Sequence, residues 1–312
     1  MQKFIQNYIF RIDIYLYVCY NFNVMKISIE NNNLIINEVR DFKLEHIFDC
    51  GQCFRWEKQD DGSFIGVAYN KALKISQNED KITLYDTTEE DFNKIWFNYF
   101  DFGTDYSKIK NELSNDNILC DAVNYGHGIR ILNQDLWECV VSFIISQSNN
   151  IPRIKKIISS LCELYGEKIE YMGKTYYSFP DIKKINSLSQ EDLSLIKAGF
   201  RDKYIMAAAE FFSNLNPDYF IDKSYDDAKS ELLKIKGIGN KVADCILLFG
   251  LKKRSSFPVD VWIKRIVEYL YFDCEQHTGK INQFAKDRFG QLGGYAQQYL
   301  FYYARENKIG IE

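Results

Sequence analysis

Two residues of complementary chemistry, Lys241 and Asp260, stand nineteen positions apart in the stretch ELLKIKGIGNKVADCILLFGLKKRSSFPVDVWIKRIVEYLY, residues 231–271. Gly237 and Gly239 make a tight hairpin just ahead of the lysine. A hairpin that opens a helix leaves backbone amides bare, which is where a phosphate binds. Lys241 falls in the first turn of that helix, where the dipole opposes its charge and favours the neutral amine a nucleophile needs. The helix runs to about Gly250, a basic loop follows, and Pro258-Val259-Asp260 opens the next helix. That path can return the carboxylate to the amine. Each feature alone also has a plain reading: an interhelical turn, a solvated lysine, an aspartate N-cap. Together they read as an amine nucleophile with a carboxylate partner beside a phosphate-binding hairpin, with Asp260 capping its helix as well.

Net charge is −4 over 312 residues, which speaks against a protein that coats nucleic acid without selectivity. Between Lys234 and Arg265, however, eight basic residues are opposed only by Asp244 and Asp260, a local +6. That is the footprint of an anionic partner confined to one face. Cys139 and Cys162 lie among apolar residues and read as buried thiols. Cys50-Gly-Gln-Cys53 has no second pair and no histidine partner, so it does not read as a zinc site. Without a secretory signal, reduced thiols and an intracellular place are expected, cytoplasm or nucleoid in a prokaryote and nucleus in a eukaryote.

The elements that must hold these groups divide the chain in three. Residues 25–134 read as an antiparallel sheet domain with flanking helices. Strands are expected at Lys26–Glu30, Leu34–Glu38, Phe64–Ala68, Ala72–Ser76 and Lys81–Tyr85, separated by Asn, Asp and Gly turns. Thr87 with Glu90 forms a capping box for a helix through Tyr99. Residues 135–312 read as helical almost throughout, with the helix–hairpin–helix at 225–251. Asp135 with Glu138 caps an apolar helix over Leu136–Ile145, and Pro152 starts another over Arg153–Tyr165. Further helices are expected at Gln190–Ala198, Asp202–Asn214, Asn282–Phe289 and Tyr295–Glu306. The fold class is therefore α+β. Residues 1–24 read as an extension: Arg11 and Asp13 break their apolar run, which is too short to span a membrane, and Met25 opens a more natural first strand.

On these residues the chain resembles a known family. GIGNKVADC followed by FPVDVW is similar to the helix–hairpin–helix, Gly/Pro-rich loop and aspartate of base-excision DNA glycosylases, and among them to the 8-oxoguanine DNA glycosylases. FDCGQCFRW at 48–56 resembles that family's SGQxFRW segment. GIRILNQD at 128–135 and FIISQSNNIPRI at 143–154 resemble its central segments, and GGYAQ at 293–297 with Phe301 resembles its last helix. The likeness covers about residues 25–309.

The resemblance implies base flipping by a monomer acting on double-stranded DNA that carries 8-oxoguanine, preferably opposite cytosine. It implies no catalytic metal, no cofactor and no membrane. Gly51 would offer its carbonyl to N7–H of the lesion, a donor that guanine lacks. Gln297 would read the Watson–Crick edge, and Phe301 and Cys245 would sandwich the base. Asn149, Asn150, Arg153, Arg201, Gly237, Gly239 and Trp262 would contact DNA, Arg153 and Arg201 at the widowed cytosine. Asp260 would stabilise the oxocarbenium charge while Lys241 attacks C1′, and the resulting Schiff base would permit β-elimination that nicks the strand.

Four departures qualify the match. Lys236 stands where many relatives have proline, Ser148 where the animal enzymes have the first of three asparagines, and Trp262 where they have a phosphate-contacting histidine. Phe200-Arg201 replaces their Tyr-Arg. The changed neighbours imply a looser preference for cytosine than in the animal enzymes. Two alternatives remain at this point. One is a glycosylase of the superfamily for oxidised pyrimidines or alkylated purines; against it, no cysteine follows Cys274 to build the iron–sulfur cluster of endonuclease III-like relatives, and alkylpurine enzymes lack the lysine. The other is a non-catalytic DNA-binding module, which leaves the pairing of Lys241 with Asp260 to chance.

Overall fold

The computed structural model describes residues 25–216 and 218–310, so the extension at 1–24 lies outside the described residues. Six strands form one antiparallel sheet: β1 (Lys26–Glu30), β2 (Asn33–Asn37), β3 (Trp56–Lys58), β4 (Phe64–Ala68), β5 (Lys71–Asn78) and β6 (Lys81–Tyr85), in the order β1-β2-β6-β5-β4-β3. The period of two explains the register. Leu34 pairs with Leu84, Leu84 with Ile75 and Ile75 with Phe64, so four apolar side chains, each at most 2% exposed, form one row across the sheet. Two-residue turns at Asn31-Asn32 and Tyr69-Asn70 have positive φ at both positions, the twist that closes such hairpins.

Short helix α1 (Leu44–Phe48) precedes β3, and the segment between them carries Gly51. Phe48 stacks on Trp56 with ring centroids 4.4 Å apart, and Trp56 Nε1 donates to Tyr99 Oη at 2.7 Å. Both ends of the Gly51 segment are thereby fixed to the sheet core. Helix α2 covers 89–99 and is widened to π geometry over Phe92–Trp96. Its cap is Thr88, not Thr87: the amide of Thr87 donates to Asn32 O, which keeps Thr87 at the sheet margin, and Thr88 accepts from Asp91 N.

Helices α3 (Tyr106–Leu113) and α4 (Asn117–Tyr125), capped by Asp105 and Asp116, were not legible beforehand. Then come α5 (Leu136–Ser146), capped by Asp135, and α6 (Ile151–Tyr165), capped by Asn150 with Pro152 in its first turn. A hairpin interrupts the helical region, β7 (Lys168–Tyr171) with β8 (Lys174–Tyr177). Its turn at Met172-Gly173 has positive φ at both residues, and Tyr171 Oη donates to Tyr85 O and accepts from Lys74 N. This finger clamps the helical half to the sheet. Short helices α7 (Ile182–Asn186) and α8 (Gln190–Ser194) lead to α9 (Asp202–Ser213) and α10 (Tyr225–Leu232). Helix α11 spans 240–250, α-helical over Asn240–Cys245 and wider over Ile246–Gly250; α12 spans 261–272; α13 is Thr278–Phe289 and α14 Gly293–Glu306. Among the described residues no helix is long and apolar enough to cross a membrane.

Two large cores result. One packs the sheet against α1 and α2; the other gathers the helices, including Leu119 and Ala122 of α4 with α14. Cys50 and Phe54, which flank Gly51, lie in the helical core although their neighbours Phe48, Cys53 and Trp56 lie in the sheet core. The Gly51 segment therefore straddles the two. Cys139 and Cys162 are buried, as their surroundings in the sequence indicated.

Candidate active site

The hairpin between α10 and α11 is built as its glycines require. Gly237 has φ +92°, and a β-carbon there would lie 2.1 Å from Tyr204 Cγ, so only glycine fits on both counts. Gly239 is the N-cap of α11, has no side-chain cap and faces open space. The first amides of α11 are left to an external acceptor.

Lys241 is half-buried, with its amine brought to α5. Nζ donates to Ser146 Oγ at 3.3 Å and sits 5.3 Å from the centre of the Phe143 ring. One turn along α11, Cys245 is buried at 3% exposure, and desolvation pushes its thiol up to about 12, with Lys241 opposing the rise and Asp244, then Asp260, adding to it. Among the described residues no ion pair joins Lys241 to Asp260; the amine is hydrogen-bonded to Ser146 and the carboxylate to Ile263 N. Asp260 caps α12, its Oδ1 accepting from Ile263 N at 2.8 Å. The second carboxylate oxygen remains for other work.

A buried cluster sets the geometry of this loop. Asp244, at 2% exposure, takes Lys229 Nζ at 2.8 Å and Tyr225 Oη at 2.6 Å, and Ser256 Oγ donates to its carbonyl at 2.8 Å. Helix α10, helix α11 and the loop leading to Asp260 are fixed together there. Burial raises the Asp244 carboxyl, with Lys229, Tyr225 and Ser256 opposing the rise. An acidic residue inside an apolar helix was the available signal for this cluster.

Helix α14 is registered against the same loop. A β-carbon on Gly294 would meet Leu248 Cδ1 at 2.3 Å, and Gly294 N donates to Arg254 O at 2.7 Å. Positions 294, 297 and 301 share a helix face. Gln297 is buried and its Oε1 accepts from Gln298 Nε2 at 2.7 Å. Phe301 lies against Gly51, whose φ is +78°; a β-carbon there would stand 3.1 Å from Phe301 Cε1. Beside Gly51 a cavity of about 170 Å³ opens, lined also by Phe54, Ile151, Lys155, Tyr302 and Arg305.

The Gly51 segment is tied to α11 through buried amides. Gln52, fully buried, donates from Nε2 to Ile47 O and Arg130 O and accepts from Leu132 N, each at 2.8 Å. Gln134 Nε2 donates to Gln52 O at 2.6 Å, and Gln134 N donates to Phe249 O at 3.0 Å. Phe249 in turn stacks on Phe143 at 5.3 Å and 10°.

The residues expected to contact DNA divide into two groups. Arg153 and Trp262 are exposed, Trp262 at 41% on the first turn of α12. Asn149 and Asn150 serve the turn between α5 and α6: Asn149 Nδ2 donates to Ile145 O, and Asn150 Oδ1 accepts from Arg153 N. Ser148 between the helices has φ +46°. Arg201 does not present a free guanidinium at the surface. It is 2% exposed and donates to the carbonyls of Gln147, Ser148 and Ala198, bracing that turn, with its charge disfavoured by burial and by Arg153. Phe200, stacked under the Arg201 guanidinium at 4.4 Å, is the exposed member of the pair.

Comparisons with known proteins place the chain in a family. Residues 33–140 match the 8-oxoguanine DNA glycosylase N-terminal domain, and residues 141–291 match the HhH-GPD superfamily of base-excision DNA repair proteins. The chain is 31% identical over 215 residues to a probable N-glycosylase/DNA lyase of Methanothermobacter thermautotrophicus, covering 62% of this chain and 69% of that one. The structure is similar to MBOgg1 in complex with a low-affinity DNA ligand (TM-score 0.90, 44% identity, 92% of this chain and 100% of that one). It is also similar to the 8-oxoguanine glycosylase/lyase of Clostridium acetobutylicum in complex with double-stranded DNA containing cytosine opposite 8-oxoguanine (TM-score 0.88, 43% identity, 93% and 100%). Hairpin, amine, carboxylate and Gly51 segment thus occur together on a fold shared over more than nine-tenths of the chain, and the chain belongs to the 8-oxoguanine DNA glycosylase family of the helix–hairpin–helix base-excision superfamily.

Proposed function

We propose that this chain excises 8-oxoguanine from duplex DNA as a bifunctional glycosylase and abasic-site lyase, with Lys241 as nucleophile and Asp260 as its electrostatic partner. The observation that carries the reading is a half-buried Lys241 in the first turn of an uncapped hairpin helix, its amine held against Ser146 and Phe143, with Asp260 capping the helix that follows. The hairpin amides hold a DNA phosphate and the flipped nucleotide presents C1′ to Nζ. As the C1′–N9 bond breaks, its electron pair leaves with the base, and the Asp260 carboxylate balances the positive charge on the sugar. Nζ bonds to C1′ and sheds one proton, which the departing base takes up. The C1′–O4′ bond then opens, O4′ takes a proton from water, and a C1′=Nζ iminium with one remaining N–H is left. Its acidified C2′–H permits β-elimination of the 3′ phosphate.

Selection of the lesion is assigned to the carbonyl of Gly51, with Gln297 at the Watson–Crick edge and Phe301 and Cys245 on the two faces of the base. The pinning of Gly51 through Gln52 supports this, because a fixed carbonyl discriminates a donor at N7 from an acceptor. Cytosine is proposed as the preferred opposite base, read by exposed Arg153, with Arg201 shaping the turn from beneath. One chain supplies every group named, which supports action as a monomer. Residues 25–134 and 135–312 are proposed as the recognition and catalytic halves, with α14 serving both.

Single-turnover excision should be measured on duplexes carrying 8-oxoguanine, thymine glycol or 3-methyladenine, each opposite cytosine, thymine or adenine as appropriate. Rapid release of 8-oxoguanine, fastest opposite cytosine, is expected. Faster release of either other base would transfer the chain to a different substrate class.

A further inference from the structure

Resting on the reading of Lys241 as the nucleophile, we infer that Ser146 is a positioning residue for its amine, one that keeps the attacking lone pair free. Ser146 ends α5, 95 residues before Lys241, and its Oγ makes two contacts of opposite sense. It donates its hydrogen to Phe143 O at 2.8 Å, and it accepts from Lys241 Nζ at 3.3 Å.

The first contact decides the chemistry of the second. A freely rotating hydroxyl beside a neutral amine can turn its hydrogen onto the nitrogen lone pair and occupy the nucleophile. With its hydrogen committed to Phe143 O, Ser146 can only accept. The amine then gives one N–H to Oγ, and the serine does not occupy its lone pair. The Phe143 ring, 5.3 Å from Nζ, offers that side of the amine a π face and no donor. This ring is itself held by Phe249 stacked on it and by the edge contact of Phe54 at 5.8 Å. Residue 143 therefore supplies both the carbonyl that orients the serine and the ring that buttresses the amine. The contact also survives the covalent step: the iminium retains a single N–H, and Ser146 Oγ is an acceptor for it.

A merely structural serine would satisfy Phe143 O and nothing else, so rate and affinity must be read separately. Ser146→Ala, Ser146→Thr and wild type should be compared for affinity to 8-oxoguanine duplex and for the single-turnover rate of borohydride-trapped adduct. Removing the acceptor is expected to slow trapping by about tenfold with DNA affinity unchanged, the equivalent of one hydrogen bond made in the transition state. Threonine, which keeps the hydroxyl, should restore the rate. Should the alanine variant fail to fold, Ser146→Cys, with a weak sulfur acceptor in place of oxygen, is expected to show the same slowing. Wild-type trapping with unchanged rates in alanine or cysteine would overturn the inference while leaving the nucleophile assignment intact. No trapping by the wild type would instead defeat that assignment, and this inference with it.

Discussion

The ring of Phe301 lies so close to Gly51 that a β-carbon on the glycine would stand 3.1 Å from Cε1 and 3.6 Å from Cζ. Gly51 comes from the sheet half and Phe301 from the last helix, 250 residues later. Their contact closes one wall of the proposed lesion pocket, and the positive φ of Gly51 is a backbone conformation that residues with a side chain rarely adopt.

Gly51→Ala meets two obstacles, a left-handed backbone and a ring that must give way. A stability loss of about 1 kcal/mol is expected from the backbone alone. Excision of 8-oxoguanine should fall at least tenfold, while nicking of a preformed abasic site, which needs no base recognition, should be nearly spared. Equal loss of both activities in parallel assays would show that the substitution acts elsewhere.

Gln52→Leu leaves Arg130 O and Leu132 N without their buried amide partner, while Ile47 O keeps the Cys50 thiol as a donor. Such groups cost roughly 1–3 kcal/mol each when left unpaired, so a stability loss of about 3 kcal/mol is expected after relaxation. Urea unfolding measures it. A loss below about 1 kcal/mol would mean the Gly51 segment is held by other means.

Asp260 has two duties that substitution can separate. Asparagine keeps an oxygen to accept from Ile263 N, so Asp260→Asn should fold and bind DNA normally while glycosidic cleavage slows by at least about a hundredfold. Asp260→Ala should lose about 1 kcal/mol of stability besides. If the asparagine variant cleaves normally, capping is the residue's only duty.

His46 lies in α1, just ahead of the Gly51 segment, and accepts from Gly128 N through Nδ1. Burial chiefly, then Lys43 and His127, lower it from 6.5 to about 4, with Glu45 opposing. A depressed value means the folded chain keeps the ring neutral while the unfolded chain protonates it. Its stabilising contribution is therefore present above pH 6.5, declines as the pH falls and is lost below about 4. His46→Asn, which retains an acceptor, should flatten this part of the stability profile measured by thermal unfolding between pH 4 and 7. An unchanged slope would assign the acid sensitivity to other groups.

The placement of the proposed catalytic pair is legible because caps and hairpin glycines act locally. Gly237, Gly239 and Asp260 stand where those rules put them, and the sheet strands follow their alternation. Long-range contacts were hidden. Ser146 and Phe143 read as the end of an apolar helix, and nothing nearby announces an amine 95 residues on. Arg201 looks the same in sequence whatever surrounds it; its burial against three carbonyls is a tertiary contact. The finger β7–β8 is not legible because Met172-Gly173 lacks the usual Asn-Gly turn signal and Tyr176 and Tyr177 are only half-buried. The role of Gly51 came from resemblance, since a lone glycine in a loop reads as a turn.

The most direct measurement is borohydride trapping on a duplex with 8-oxoguanine opposite cytosine, comparing wild type with Lys241→Gln. A covalent protein–DNA adduct is expected from the wild type and none from the variant, which should still bind the duplex. An adduct that persists in Lys241→Gln, or base release by a wild type that never traps, would contradict the assignment of Lys241 as nucleophile.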